Sequence, residues 1–410
     1  MTPETDAALS LLSAKAVRTR AQTMLALGLE GKLPNFRIDL SLIDSTAERV
    51  LAVTRQAYPT LDIPFHSRWR HFVVDGADRF AALTARATWP DRAARARAEF
   101  DLAMVSVFLD AGAGAQWRYS DPVSGQKIGR SEGLALASLD MFANGAFSAD
   151  PNDPLRVDAV VLAMLNVEQL ASGFQVTPDN PLVGLEGRAA LLRALGKLAS
   201  GCPDVFARNG SARPGGLFDH IVGQNDGAIE APAILSALLR ELGPIWPSRL
   251  SLGGIPLGDC WKHPAMTTAD FTNGLVPLHK LSQWLSYSLI EPIQRAGLTV
   301  SDIDGLTGLA EYRNGGLFVD AGVLALRNPA QAGRAHEAGS ELVVEWRTLT
   351  VALLDRLAAV IREKLNMNAE SLPLAKILEG GTWATGRVLA RERRPDGAPP
   401  ISVISDGTIF

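Results

Sequence analysis

The chain has 410 residues and a formal charge of −4, with 47% hydrophobic and 20% charged residues, the balance of an ordinary packed protein. That charge gives no global basic field for holding nucleic acid or anionic lipid. Its two cysteines, Cys202 and Cys260, supply neither a disulfide framework nor a thiolate metal cluster, and no run approaches the ~20 apolar residues of a membrane span. A soluble, cytoplasmic protein with a small-molecule partner is expected.

From Thr5 to Gly31, Leu9, Leu12, Ala16, Met24 and Leu27 keep helical spacing, and Gly28 and Gly31 close the run. Asp44 to Tyr58 reads as a second helix with Ser45 or Thr46 as its cap. IPFHSRWRHF (Ile63 to Phe72) gathers arginines, histidines and aromatics; Arg68 and Arg70 could grip a phosphate, or stack on the neighbouring rings. His66 and His71 are five apart, so they would not share one metal on a helix face. A long helix is expected from Trp89 to Gly112, buried in its DLAMVSVFL half.

GRSEG (Gly129 to Gly133) matches the G-x-S-x-G nucleophile elbow, but the elbow needs a buried strand before it, and SDPVSGQKI is polar and turn-like. A helix start capped by Ser131, with Glu132 favoured by the dipole, is the simpler account. Such a start could also hold an anion or a sugar hydroxyl. Helices follow over 153–174 and 185–200, then an irregular Gly- and Pro-rich stretch to about residue 230, then a helix up to Gly243. LSLGGIPLGDCWKHP reads as loop or short strand and carries the acid–aromatic group Asp259, Trp261 and His263.

The stretch from Val276 to Leu326 is the most informative. Pro277 suits the first turn of a helix and Pro292 should end it. Between them Leu278, Leu281, Leu285 and Leu289 form an apolar stripe, and Lys280, Gln283, Tyr287 and Glu291 form a second stripe of one base, one amide, one phenol and one acid. That assortment fits the lining of a polar pocket or a chance mixture on a solvated face. In LAEYRNGG, four hydrogen-bonding side chains, Glu311 to Asn314, lead into Gly315-Gly316, which suggests a substrate-facing loop or an Asn-Gly turn. A long helix from Ala335 to Leu365 precedes an irregular tail, whose terminal SDGTIF is expected to dock on the body. Asp302 and Asp304 lack the other ligands of a calcium loop, and no Walker A or complete dinucleotide fingerprint occurs. No metal or cofactor is expected. Period-2 alternation is scarce, so the fold should be mainly α with minor β: an N-terminal helical segment over 1–60 and one helical domain over 61–410.

PFHSRWRHF, SVFLDAGAGAQWRY, GRSEGLALAS, LGDCWKH, PLHKLSQWLSYSLIEP, LTGLAEYRNGGL, EWRTLTVALLD, LEGGTWATGR and PPISVISDGTIF together resemble the uracil catabolism protein 4 family. That resemblance implies a place in a route that degrades uracil through ribosylated intermediates and yields urea. KLSQWLSYSL followed by LTGLAEYRNGGLFVDAGVL is also similar to the queuosine salvage glycosidases, helical proteins with a DNA-glycosylase-like fold that hydrolyse an N-glycosidic bond. Lys280, Gln283, Tyr312 and Arg313 match that pattern. Glu311 stands where those proteins have an aspartate, and Ser288 replaces a second aspartate that works on the ribose.

The expectation is an N-ribosyl hydrolase that cleaves ribosylurea or its phosphate, with Glu311, or else Asp259, as the carboxylate that stabilises the developing sugar cation and activates water. Tyr287, Gln283, Ser288, Tyr312, Arg313, Trp261 and Glu132 would hold sugar and urea, and Lys280, Arg68 or His66 a 5′-phosphate. The alternatives are an amidohydrolase acting on a ureide or ring-opened pyrimidine, and a non-catalytic protein that binds a pathway intermediate.

Overall fold

A computed structural model describes residues 2–225, 227–246 and 250–404. The protein is mainly helical, and among the described residues every sheet has two short strands. No helix there is long and apolar enough to cross a membrane. The expected docking of SDGTIF lies outside the described residues.

The described residues group as two units: one takes 2–66, 250–283 and 302–404, the other 67–225, 227–246 and 284–301. In the first, helix Glu341–Leu365 is buried without a break from Leu342 to Leu354, because Ala14–Leu29, Ile43–Ala57 and Tyr312–Asp320 all pack on it. A helix enclosed on every side needs no amphipathic stripe, and VVEWRTLTVALL has none. Short ladders tie distant segments around it: Phe36–Ile38 runs antiparallel to Leu324–Leu326, Cys260–Lys262 antiparallel to Leu275–Pro277, and Ala335–Glu337 parallel to Ser402–Ile404. Ala8 and Leu11 of the first helix pack with Leu257, Cys260 and Leu275.

The second unit is built on Arg92–Phe108, buried from Phe100 to Phe108 and packed against Arg130–Ala143 and Leu217–Gly223. Leu185–Gly201 crosses Ala159–Ala163 at Gly196, where a β-carbon would sit 2.5 Å from the Ala159 carbonyl oxygen. Arg188 is wholly buried in this unit; its guanidinium donates to the carbonyls of Leu109 and Ala111, just past the end of helix Arg92–Phe108.

Several boundaries differ from the sequence expectation, each for a local reason. The run from Thr5 to Gly31 is two helices, Pro3–Leu11 and Ala14–Leu29, because Ser13 turns extended and caps the second. Ser45 and Thr46 do not cap Ile43–Ala57: both hydroxyls donate back to the Leu42 carbonyl, and Leu42 is the cap residue. The helix expected from Trp89 to Gly112 runs Arg92–Phe108, with Asp91 as its cap. The helix expected from Ala335 starts at Glu341, since 335–337 pair as a strand. Ser131 is not a cap either. Gly129 is, Arg130 follows at φ +57°, and the strand before it is a two-residue hairpin arm, not the buried strand of an elbow.

The largest departure concerns the prolines. Pro277 sits in a strand, and Pro292 lies inside helix Lys280–Arg295. A proline there has no N–H for the carbonyl four residues earlier, which is Ser288. The Trp69 indole N–H takes that carbonyl instead, at 2.7 Å. Trp69→Phe should therefore destabilise the protein by about 1–3 kcal/mol, the range for a buried acceptor left without a donor. Adding Pro292→Ala should restore part of the loss in denaturant unfolding, because the new amide can reach Ser288.

Candidate functional site

The residues singled out between 276 and 314 are organised in the first unit by Asp259. Its carboxylate accepts both Nη1 and Nη2 of Arg347, each at 2.8 Å, the Trp261 indole N–H at 2.7 Å and the Lys280 backbone N–H at 2.9 Å. Its own carbonyl accepts the N–H groups of Leu278 and His279. Residue 259 thus fixes the start of helix Lys280–Arg295 through side chain and main chain together. Burial opposes the charge on Asp259, but Arg347 and these donors outweigh it and hold the carboxyl well below the usual carboxylate range. Arg347 also donates through Nε to the Ala310 carbonyl at 3.0 Å, one residue before Glu311. One buried guanidinium therefore sets both stretches.

Glu311 is the N-cap of helix Tyr312–Asp320. Its two oxygens accept the backbone N–H groups of Arg313, at 2.7 Å, and Asn314. The side chain is buried, and burial pushes its carboxyl up from the ordinary range, against the pull of those two N–H bonds and of the Lys280 and His66 charges. A carboxylate has about four lone-pair positions. Two are held by the helix start, which leaves the group oriented and still able to take a proton from water.

LAEYRNGG is thus a capped helix start rather than a loop or an Asn-Gly turn. Gly315 is inside the helix, where a β-carbon would lie 2.7 Å from the Trp346 ring. Gly386 does the same for the neighbouring helix Trp383–Arg393: a β-carbon there would be 2.3 Å from the Arg313 carbonyl oxygen. Arg313 donates to the Gly397 carbonyl at 2.9 Å and lies over the Tyr312 ring. Asn314 accepts from the Thr382 hydroxyl at 2.9 Å.

Gln283 is fully buried, and its amide exchanges bonds with Thr307: Nε2 donates to Oγ1 at 2.8 Å, and Oε1 accepts the Thr307 N–H at 3.3 Å. His66 belongs to the same unit. Its Nδ1 lies 2.7 Å from Oε2 of Glu379, whose other oxygen accepts the Tyr58 hydroxyl at 3.2 Å. The first unit therefore holds Asp259, Trp261 and Lys280 in one hydrogen-bonded cluster, tied through Arg347 to the residue before Glu311, and the charges of Lys280 and His66 act on Glu311. Sequence reading missed Arg347, Glu379, Tyr58 and Thr307. Arg347, Glu379 and Thr307 lie in quoted stretches, EWRTLTVALLD, LEGGTWATGR and LTGLAEYRNGGL, but the partners of the first two are 88 and 313 residues away.

The other named residues belong to the second unit. The Arg68 guanidinium is wholly buried: it pairs with Asp110 at 3.0 Å, donates to the Ser106 hydroxyl at 2.6 Å and lies over the Trp284 ring. Burial lowers its proton affinity, and Asp110 and Glu132 partly offset that. The Ser288 hydroxyl accepts the Arg68 backbone N–H at 2.9 Å, and Tyr287 is fully buried. Arg70 and Ser67 both donate to Glu291. Gln283, Tyr287 and Ser288 are all buried, so this side of the helix is not a solvated face.

His263, Glu341 and Glu345 also approach one another, with ligand atoms within 4.8 Å. Nδ1 of His263 accepts the Ala265 N–H, which leaves the proton on Nε2, the nitrogen facing the carboxylates. A metal ligand needs the opposite tautomer.

A family model described as "Protein of unknown function (DUF1688)" matches residues 10–410. "Protein urg3" of Schizosaccharomyces pombe is 41% identical over 418 residues, spanning 99% of this chain and 100% of that protein. "Uracil catabolism protein 4" of Lachancea kluyveri is 36% identical over 416 residues, 93% of each chain.

Proposed function

Because this chain belongs to the DUF1688 family and is 36% identical to a relative named for uracil catabolism, we propose that it works in uracil catabolism as an N-ribosyl hydrolase. It cleaves the C–N bond of ribosylurea, or its 5′-phosphate, to urea and a ribose product. The observation that carries this reading is Glu311: a buried carboxylate, oriented by two backbone N–H groups, within electrostatic reach of Lys280 and His66.

Breaking a bond at the anomeric carbon builds positive charge on the sugar ring, and a fixed carboxylate stabilises it without reorganising. Burial raises the proton affinity of Glu311, which favours its taking a proton from the attacking water. Asp259 is less suited to that task. Its oxygens are engaged by Arg347, Trp261 and the Lys280 N–H, and its proton affinity is lowered. It holds the two stretches in place. Lys280 is the group proposed to meet a 5′-phosphate, with Tyr312 and Arg313 beside the sugar. Incubation of the protein with ribosylurea and with its 5′-phosphate, followed by urea and reducing-sugar assays, tests the reading. Equimolar release of both products supports it; no release from either compound removes it.

A further inference from the structure

The reaction just described leaves one requirement unmet. Urea is a poor leaving group as an anion, so a proton must reach it as the C–N bond breaks. Glu311, which receives the proton of water, cannot also supply that one in the same step.

His66 is built for the task. Its side chain is almost enclosed, its backbone N–H donates to the Ala375 carbonyl at 2.9 Å, and its ring tilts against Trp383 with centroids 6.3 Å apart. With Nδ1 2.7 Å from a carboxylate oxygen, that nitrogen carries a hydrogen whether the ring is neutral or charged. Nε2 is the ring nitrogen turned away from Glu379. Glu379, the carboxylate in question, lies in the π-helical turn Leu378–Thr382, a rare geometry that recurs at functional sites. The turn packs closely because it is LEGGT: a β-carbon on Gly381 would stand 2.4 Å from the Thr54 hydroxyl oxygen, and one on Gly380 3.0 Å from Ile63 Cδ1. Tyr58 fixes the second Glu379 oxygen. Among the groups around His66 are Glu379, Tyr58 behind it and the Trp383 ring, and the His66 charge acts on Glu311.

We propose that His66 is the general acid of this site and Glu379 its positioning residue, an assignment that rests on the N-ribosyl hydrolase reading. Water oxygen bonds to the anomeric carbon as the C–N bond breaks, and the electron pair of that bond stays with urea. The proton of water goes to Glu311, and the Nε2 proton of His66 goes to urea. Exchange with solvent resets both groups, so the sum is substrate plus water to sugar plus urea.

The test compares two leaving groups. 4-Nitrophenyl riboside expels a phenolate that needs no proton, whereas ribosylurea needs one. His66→Gln should lower kcat for ribosylurea by about 10²–10⁴-fold, the usual range for a lost general acid, while the nitrophenyl reaction stays within about threefold. Glu379→Gln should lower kcat for ribosylurea in the same selective way, by about 10-fold or more, with KM little changed. Glu379→Asp should recover part of that loss, and it also serves if the glutamine variant folds poorly. In ¹⁵N-histidine spectra the Nδ1–H signal absent from His66→Gln should be present in the wild type and weakened in Glu379→Gln. Equal losses on both substrates would overturn the assignment and make His66 a binding group. An unchanged Nδ1–H signal in Glu379→Gln would remove Glu379 from its role. A wild type inert toward both ribosides would remove the hydrolase reading and this inference with it, an outcome distinct from the other two.

Discussion

Glu311→Gln should lower kcat for ribosylurea by about three orders of magnitude and leave the fold standing. The size follows from losing both the charge that meets the sugar cation and the acceptor for the water proton, effects worth about 10²–10⁴-fold each when measured singly and not additive. The stability half of the prediction has a definite sign. Burial raises the folded-state proton affinity of Glu311 above its unfolded value, so the folded state binds the extra proton. Its favourable contribution is therefore complete at acid pH and is lost as pH rises through the folded-state value. The glutamine variant, which keeps an amide oxygen for one capping bond, should gain in Tm relative to wild type on moving from pH 4 to pH 8. Thermal melts across that range check it. A variant that melts far below wild type at pH 8 would mark Glu311 as a structural cap.

Asp259→Asn should be the most destabilising single change among the named residues. Arg347 is buried, and removing its partner leaves an uncompensated charge, a loss of about 3–5 kcal/mol and roughly 5–10 °C in Tm. Arg347→Met should lose a similar amount, and the double variant less than the sum, because the two act as one unit. Activity should fall with stability in both single variants, since Arg347 holds the Ala310 carbonyl and Asp259 holds the Lys280 N–H. The lowered proton affinity of Asp259 makes the contribution present above the unfolded carboxyl value of about 4 and lost below it. The gap between wild type and Asp259→Asn should accordingly narrow in acid. Full activity in Asp259→Asn would show that the clip is dispensable for the site.

Element type was legible in the sequence because it rests on periodicity, and the mainly helical reading and the resemblance to the uracil catabolism protein 4 family both hold. Boundaries were less so. Ser13 and Asp91 cap as their chemistry allows, but Ser45, Thr46 and Ser131 had the same chemistry and do not, since the chain geometry before them decides. Pro292 stays in its helix because Trp69, 223 positions earlier, takes the carbonyl that proline abandons, which no local rule can see. Gly315 looked like a turn because a glycine after asparagine favours one; Trp346 requires the same absence of a side chain inside a helix. Glu311 and Lys280 could be named from one short stretch. Arg347 and Glu379 act only through partners far along the chain.

The most direct measurement follows the ureido carbon. With ¹³C in that position, ribosylurea turned over by this protein should lose its carbon signal to free urea alone, with the nitrogen on the sugar side leaving intact. Appearance of the label as bicarbonate, with ammonia and a ribosylamine, would mean that the amide and not the glycosidic bond is broken, and the assignment of Glu311 to sugar chemistry would be contradicted.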